Sequence, residues 1–249
     1  MRTRVDPLPL LLIPGLLCDE DVWAAQVEAL RRTRELIVAP PGIDDTVDRL
    51  EAMARHLLSA VAAPRFAVAG HSMGGRIALE MLRQAPGRLG GLALLDSGTA
   101  ARPEGAAGEA EYRSRQSLVD LARSRGLEAV AREWLPPMVH PAVIGTALLE
   151  RMVAMVMRSN PLRFSSQVQA LLHRPDADPV LRSVGCPVLL VCGEQDRWSP
   201  PERHRAMQAL RPGSVLQLVG DCGHMSPMEQ PEAVSAALAQ WLQRCDEQR

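Results

Sequence analysis

The sequence predicts an α/β fold: a doubly wound, mostly parallel sheet with an inserted helical cap. Three observations predict it. Short apolar runs alternate with amphipathic segments toward both ends of the chain. Several of these runs are apolar at successive rather than alternate positions, the pattern of parallel strands buried on both faces. Between about residues 98 and 183 the strand signals vanish and helical patterns replace them. The expected division is therefore a core of residues 1–97 and 184–249, with a cap formed by residues 98–183. A chain of 249 residues that is 47% hydrophobic is long enough for one such domain.

The elements follow in order. The first strand is expected at Leu8–Ile13, inside "LLLIPGLLCD". Two arginines precede this run and Cys18 ends it, so it also resembles a signal segment. Leu17 is too bulky for the residue before a lipoprotein cysteine, and cleavage there would remove a core strand. The run is therefore assigned to the fold. Glu35–Ala39 is the second strand. In Thr46–Val61, Leu50, Met53, Ala54, Leu57, Leu58 and Val61 share one helical face. Phe66–Ala69 is the third strand, with a helix expected from about Gly75–Arg76, and Leu92–Leu95 is the fourth. Ala101–Ala110 reads as a mobile hinge, followed by helices over Tyr112–Arg125, Val143–Arg158 and Pro161–His173. Strands at Val188–Cys192 and Val215–Val219 complete the sheet. Val234, Leu238, Trp241, Leu242 and Cys245 mark a final helix, with Pro231 suited to its first turn.

Composition excludes several classes of function. The formal charge is −1, which offers no field for nucleic acid or an anionic membrane, and no apolar run approaches the length of a membrane span. The five cysteines are odd in number, scattered and without CxxC pairs, so neither a disulfide framework nor a zinc site is expected. Reduced thiols in a cytoplasmic protein are the plain reading. With two Phe, one Tyr and four Trp, stacking platforms for sugars or bases are not expected to dominate. Eleven methionines point to adaptable apolar surfaces.

The chemistry concentrates in "FAVAGHSMGGRIALEML". Gly70, Ser72 and Gly74 form G-x-S-x-G between a strand and a helix. A side chain at the apex of so tight a turn needs small neighbours two residues away on each side. The helix that follows directs its N-terminal dipole toward charge developing at Ser72. A serine hydroxyl needs a base to act as a nucleophile. His56, His71, His140, His173 and His204 lie in helical or flanking contexts. His224 alone follows a strand in a Gly-rich loop, at the sheet edge where α/β proteins place their sites. Its carboxylate partner is expected to be Asp196, just after Val188–Cys192. Asp96, at the end of Leu92–Leu95, is the main competitor, Glu194 is weaker, and Asp221 belongs to its own loop.

With "LIPGLL", "GHSMGG", "GEQDRWSP" and "GHMSPMEQPE" the chain resembles the α/β-hydrolase fold over essentially its whole length. The order Ser72, Asp196, His224 is the order of that family's triad. The resemblance implies an oxyanion loop after the first strand, built around Pro14-Gly15 where the family commonly has His-Gly. Its donors would be the backbone N–H groups of Leu16 and Met73. It also implies that the family's leading antiparallel strands are shortened or absent. The expected activity is hydrolysis of a carboxylic ester-like bond (ester, lactone or thioester) through an acyl-enzyme, without metal or organic cofactor.

Three alternatives share the fold: a lyase like that of the menaquinone pathway, suggested by Arg76 in "SMGGR"; a C–C bond hydrolase; and a low-turnover ligand-binding member. Arg76 otherwise reads as a solvated or ion-paired helix residue. A small, largely apolar substrate is expected, since Met152, Met155, Met157, Leu148 and Leu149 lie on one cap helix. A carboxylate-bearing substrate gains weight if two of Arg113, Arg115, Arg123, Arg125, Arg151, Arg158 and Arg163 face inward. The protein is expected to be a monomer or homodimer.

Overall fold

The computed structural model describes residues 6–42 and 45–248. Six parallel strands form one sheet: β1 (Leu10–Ile13), β2 (Leu36–Val38), β3 (Phe66–His71), β4 (Leu89–Leu95), β5 (Val188–Gly193) and β6 (Val215–Val219), in the order β2-β1-β3-β4-β5-β6. Every residue of β1, β3, β4 and β5 is buried, as continuous apolar runs require when helices cover both faces. Of the six predicted strands, all form. The predicted Leu8–Ile13 starts two residues later, and the predicted Phe66–Ala69 extends through His71. No antiparallel strand occurs among the described residues.

Helices α1 (Ala24–Leu30), α2 (Leu50–Ala60) and α3 (Met73–Gln84) cross between the early strands. On one side α2 packs against α3, which also contacts β1, β3 and β4. The chain goes from β1 outward to β2, then returns to place β3 on the other side of β1. That reversal opens a crevice at the C-terminal ends of β1 and β3, where such sheets hold their ligands.

Between β4 and β5 the chain is helical: α4 (Gly105–Trp134), α5 (Ala147–Met157), α6 (Pro161–Leu172) and α7 (Asp178–Arg182). α4 is two helical stretches joined at Gly126, whose φ of 80° and ψ of 173° interrupt the spiral. The predicted hinge at Ala101–Ala110 is in part the first turn of α4, because helix begins at Gly105. After β5 come α8 (Pro201–Leu210), then β6, α9 (Ser226–Glu229) and α10 (Pro231–Glu247), with Pro231 opening the last helix. α1 and α10 pack together, and α10 covers β4, β5 and β6. Among the described residues, no helix is long and apolar enough to cross a membrane.

Candidate active site

β3 delivers Ser72 at a sharp turn into α3. Its backbone takes φ 53° and ψ −113°, a conformation costly for a residue with a Cβ. The turn is held from both sides: Ser72 N–H donates to Leu95 O at 2.8 Å, and Ser97 Oγ donates to Ser72 O at 2.7 Å. Both flanking glycines are required by space. A Cβ on Gly70 would lie 2.3 Å from Gly74 C, and one on Gly74 would lie 2.2 Å from Ile13 O.

The three predicted side chains meet. Ser72 Oγ–H points to His224 Nε2 at 2.8 Å, and His224 Nδ1–H donates to Asp196 Oδ2 at 2.8 Å. The other oxygen of Asp196 accepts the N–H groups of Trp198 and Ser199 at 2.7 and 2.9 Å. Burial opposes ionisation of Asp196. The facing imidazole and those two N–H groups outweigh it, so its pKa lies below the usual carboxylate range. Burial likewise disfavours the charged imidazole, but Asp196 reverses the balance and raises His224 above the ordinary histidine value.

Asp96 is not the partner of His224. Its two carboxyl oxygens accept backbone N–H groups from Gly193 and Ser226, each at 3.1 Å. Burial, reinforced by the nearby charge of Asp196, pushes its pKa well above the usual carboxylate range, and its two backbone contacts make it a brace beneath the site. The ligand atoms of Asp96, Cys192 and Asp196 lie within 4.8 Å of one another. They do not fit a metal, because burial also raises the Cys192 thiol and the carboxyl oxygens are already engaged. Glu194 and Asp221 are exposed.

His71 turns beneath the serine, its Nε2–H donating to the carbonyl of His224 at 2.8 Å. Burial and repulsion from His224 lower its pKa to about 3, so it is a neutral prop. The loop carrying His224 is organised by Glu229, which lies within "GHMSPMEQPE" but to which the sequence reading assigns no role. Its carboxylate accepts the N–H groups of Gly223, Met225 and His140 at 3.0, 2.9 and 2.7 Å. Leu16 and Met73 line the same cavity as Ser72. Met73 opens α3, so its N–H has no acceptor within the helix, and the Leu16 N–H has no partner among the described residues.

Above Ser72 lies a cavity of about 330 Å³ lined by Leu16, Leu118, Trp134, Leu171 and Trp198 together with several arginines. Trp134 and Trp198 meet edge to face at 5.9 Å. The α5 methionines do not line it: Met152 and Met155 are buried in packing and Met157 is exposed. Cys18 and Cys222 are buried thiols, Cys18 pushed up to about 12 by desolvation, and neither lines the cavity.

Residues 10–237 match the alpha/beta hydrolase family. A solved thermophilic esterase from Thermogutta terrifontis, with malate bound, is 30% identical and superposes with a TM-score of 0.81, covering 96% of this chain and 90% of that one. The chain is 25% identical over 242 residues to a 2-succinyl-6-hydroxy-2,4-cyclohexadiene-1-carboxylate synthase from Klebsiella pneumoniae, covering 94% and 93% of the two chains. It is also 25% identical over 264 residues to a putative carbamate hydrolase from Agrobacterium fabrum, covering 99% and 97%. The chain belongs to the alpha/beta hydrolase family and is an enzyme of that class.

Proposed function

We propose that this enzyme hydrolyses a carboxylic ester-like bond (ester, lactone or thioester) through an acyl-enzyme on Ser72. The observation that carries the reading is the unbroken relay from Ser72 Oγ to His224 to Asp196, with both hydrogen bonds at 2.8 Å, at the floor of an open cavity. Ser72 Oγ attacks the carbonyl carbon as His224 Nε2 takes its proton. The carbonyl oxygen becomes an oxyanion received by the N–H groups of Leu16 and Met73. Asp196 fixes the imidazole tautomer and stabilises the imidazolium. The imidazolium returns its proton to the leaving oxygen or sulfur. Water, deprotonated by His224, then releases the acid and frees Ser72.

The helices between β4 and β5 act in this reading as the cap that shapes the substrate space. Five unpaired, buried cysteines fit a reducing, cytoplasmic setting. Ser72→Ala is expected to lower turnover of p-nitrophenyl esters by about 10⁴-fold or more. A fluorophosphonate probe is expected to label wild type at Ser72 alone. Wild-type turnover in purified S72A overturns the assignment.

A second reading, elimination by proton abstraction, is favoured by the synthase relative that matches 94% of this chain. Rapid-quench kinetics separates the two. An acyl-enzyme burst belongs to the hydrolase, and elimination without covalent trapping belongs to the lyase.

A further inference from the structure

Five guanidinium groups face the cavity over Ser72: Arg76, Arg115, Arg174, Arg197 and Arg203. Two acidic side chains share the lining, and they do not balance the charge. Asp96 is fully enclosed, and its two oxygens are taken up by the backbone N–H groups of Gly193 and Ser226. Glu111 is ionised: burial works against its charge, but Arg174 and Arg115 pull its pKa down to about 2. Its oxygens are spent on those two arginines, at 2.7 and 2.8 Å from Arg174 and 2.9 Å from Arg115.

Arg76, Arg197 and Arg203 are left over, and of these Arg76 and Arg203 come together. Arg76 donates to the carbonyl of Ala100 at 2.9 Å, and Arg203 reaches Ser199 Oγ at 3.4 Å. Neither has a carboxylate partner among the described residues. They nevertheless converge, Arg76 from the first turn of α3 and Arg203 from the first turn of α8. A Cβ placed on Gly98 would lie 2.7 Å from Arg203 Cδ and 3.3 Å from Arg76 Nη2. Burial, and then the fields of Arg174, Arg203 and Arg115, lower the Arg76 pKa to about 9, which still leaves it charged at neutral pH. Arg151, Arg158 and Arg163, on the helices between β4 and β5, show the contrast, since each meets an aspartate. Like charges gathered at the wall of a reactive cavity without a counter-charge are a binding site for an anion.

We propose that the substrate carries a free carboxylate seated between Arg76 and Arg203, so that acidic half-esters or carboxylated lactones are preferred over neutral esters. The reaction part rests on the Ser72 reading above; the anion site stands on the arginines alone. Two guanidinium forks match the planar, two-oxygen carboxylate, and the walls of Trp134, Leu118 and Leu171 receive the carbon chain.

The first test compares kcat/KM for p-nitrophenyl hemisuccinate and p-nitrophenyl butyrate in the full-length enzyme. The hemisuccinate is expected to be favoured at least tenfold, with the preference shrinking as salt is added. Arg203→Met and Arg76→Met are each expected to cut the preference about tenfold, chiefly through KM. Arg203 is an exposed residue, so its variant keeps the test open if Arg76→Met fails to fold.

The second test needs no turnover: calorimetric titration of succinate and of inorganic phosphate into S72A and into S72A/R203M. Succinate is expected to bind more tightly than phosphate and to weaken about tenfold without Arg203. Equal hydrolysis of the two esters overturns the proposal, as does tighter binding of phosphate than of succinate. If neither ester is hydrolysed, the titration decides. Arg203-dependent succinate binding then upholds the anion site while the hydrolase reading falls, and absent binding overturns the anion site too.

Discussion

At Ser72 the fold stores strain where the reaction needs an exposed hydroxyl. A serine at φ 53° and ψ −113° costs about 1–3 kcal/mol and is held by hydrogen bonds to Leu95 and from Ser97. Because the turn leaves no room for a methyl beside Ile13 O, Gly74→Ala is expected to cost about 3 kcal/mol, read as a lowered urea midpoint. The same turn aims Ser72 at an imidazole whose pKa is raised by Asp196. A general base works only when neutral, so kcat/KM is expected to fall as pH drops through a midpoint above the ordinary histidine value of 6.5. Asp196→Asn removes the charge that raises it. The acid limb should then move to lower pH, while kcat falls by about 10³–10⁴ because the tautomer is no longer fixed. An unmoved limb in that variant would mean that another group sets the profile.

Between elements, the oxyanion loop is held by a residue from the helical insertion. Gln167 of α6 accepts the Leu17 N–H at 3.1 Å and donates to Pro41 O at 2.9 Å, clamping the turn in which Leu17 takes φ 58°. Leu16 is the other central residue of that turn, which Cys18 N–H closes onto Gly15 O, and its N–H is a proposed oxyanion donor. Gln167→Leu is therefore expected to reduce kcat about ten- to a hundredfold with a smaller change in KM, since oxyanion contacts tighten in the transition state. Equal loss in both parameters, or a matching loss of folded protein by circular dichroism, would point to general loosening instead. This clamp joins residues 150 positions apart, and no local pattern announces it. Strands were legible because β1, β3, β4 and β5 are uniformly apolar, and the elbow because its glycines answer to space at single positions. Asp96 and Asp196 both end strands, and only the neighbouring N–H groups separate their roles. The unmatched arginines were illegible for the same reason: of the seven cap arginines weighed in the sequence, Arg115 alone faces the cavity, and its companions come from α3, α8 and the loops.

For the molecule as a whole, burying imidazoles beneath the sheet edge ties stability to pH. His204 accepts the Ser97 N–H through Nε2 at 3.3 Å and, like His71, is fully enclosed. Desolvation holds His204 at about 4 and His71 at about 3, against 6.5 for an ordinary histidine. In the unfolded chain both bind protons near pH 6.5, but in the folded protein they do so only far below it. Their stabilising contribution is thus complete above pH 6.5 and is lost as pH falls toward 4 and then 3, on the order of several kcal/mol in all. His224, raised in the fold, runs the other way: it adds stability on the acid side and loses it above its folded pKa, offsetting part of the decline. Glu111, depressed to about 2, stabilises the fold at every pH above the ordinary carboxylate range and loses that contribution as pH falls through that range toward 2. Urea midpoints measured from pH 8 to pH 4 are therefore expected to begin falling near pH 6.5, above the range where ordinary carboxylates titrate. His204→Gln keeps an acceptor for Ser97 but cannot gain the proton. It is expected to be less stable at pH 7 and to show a shallower decline between pH 6.5 and 4. A wild-type profile that stays flat down to pH 4.5 would place the acid sensitivity in the carboxylates and not in the enclosed imidazoles.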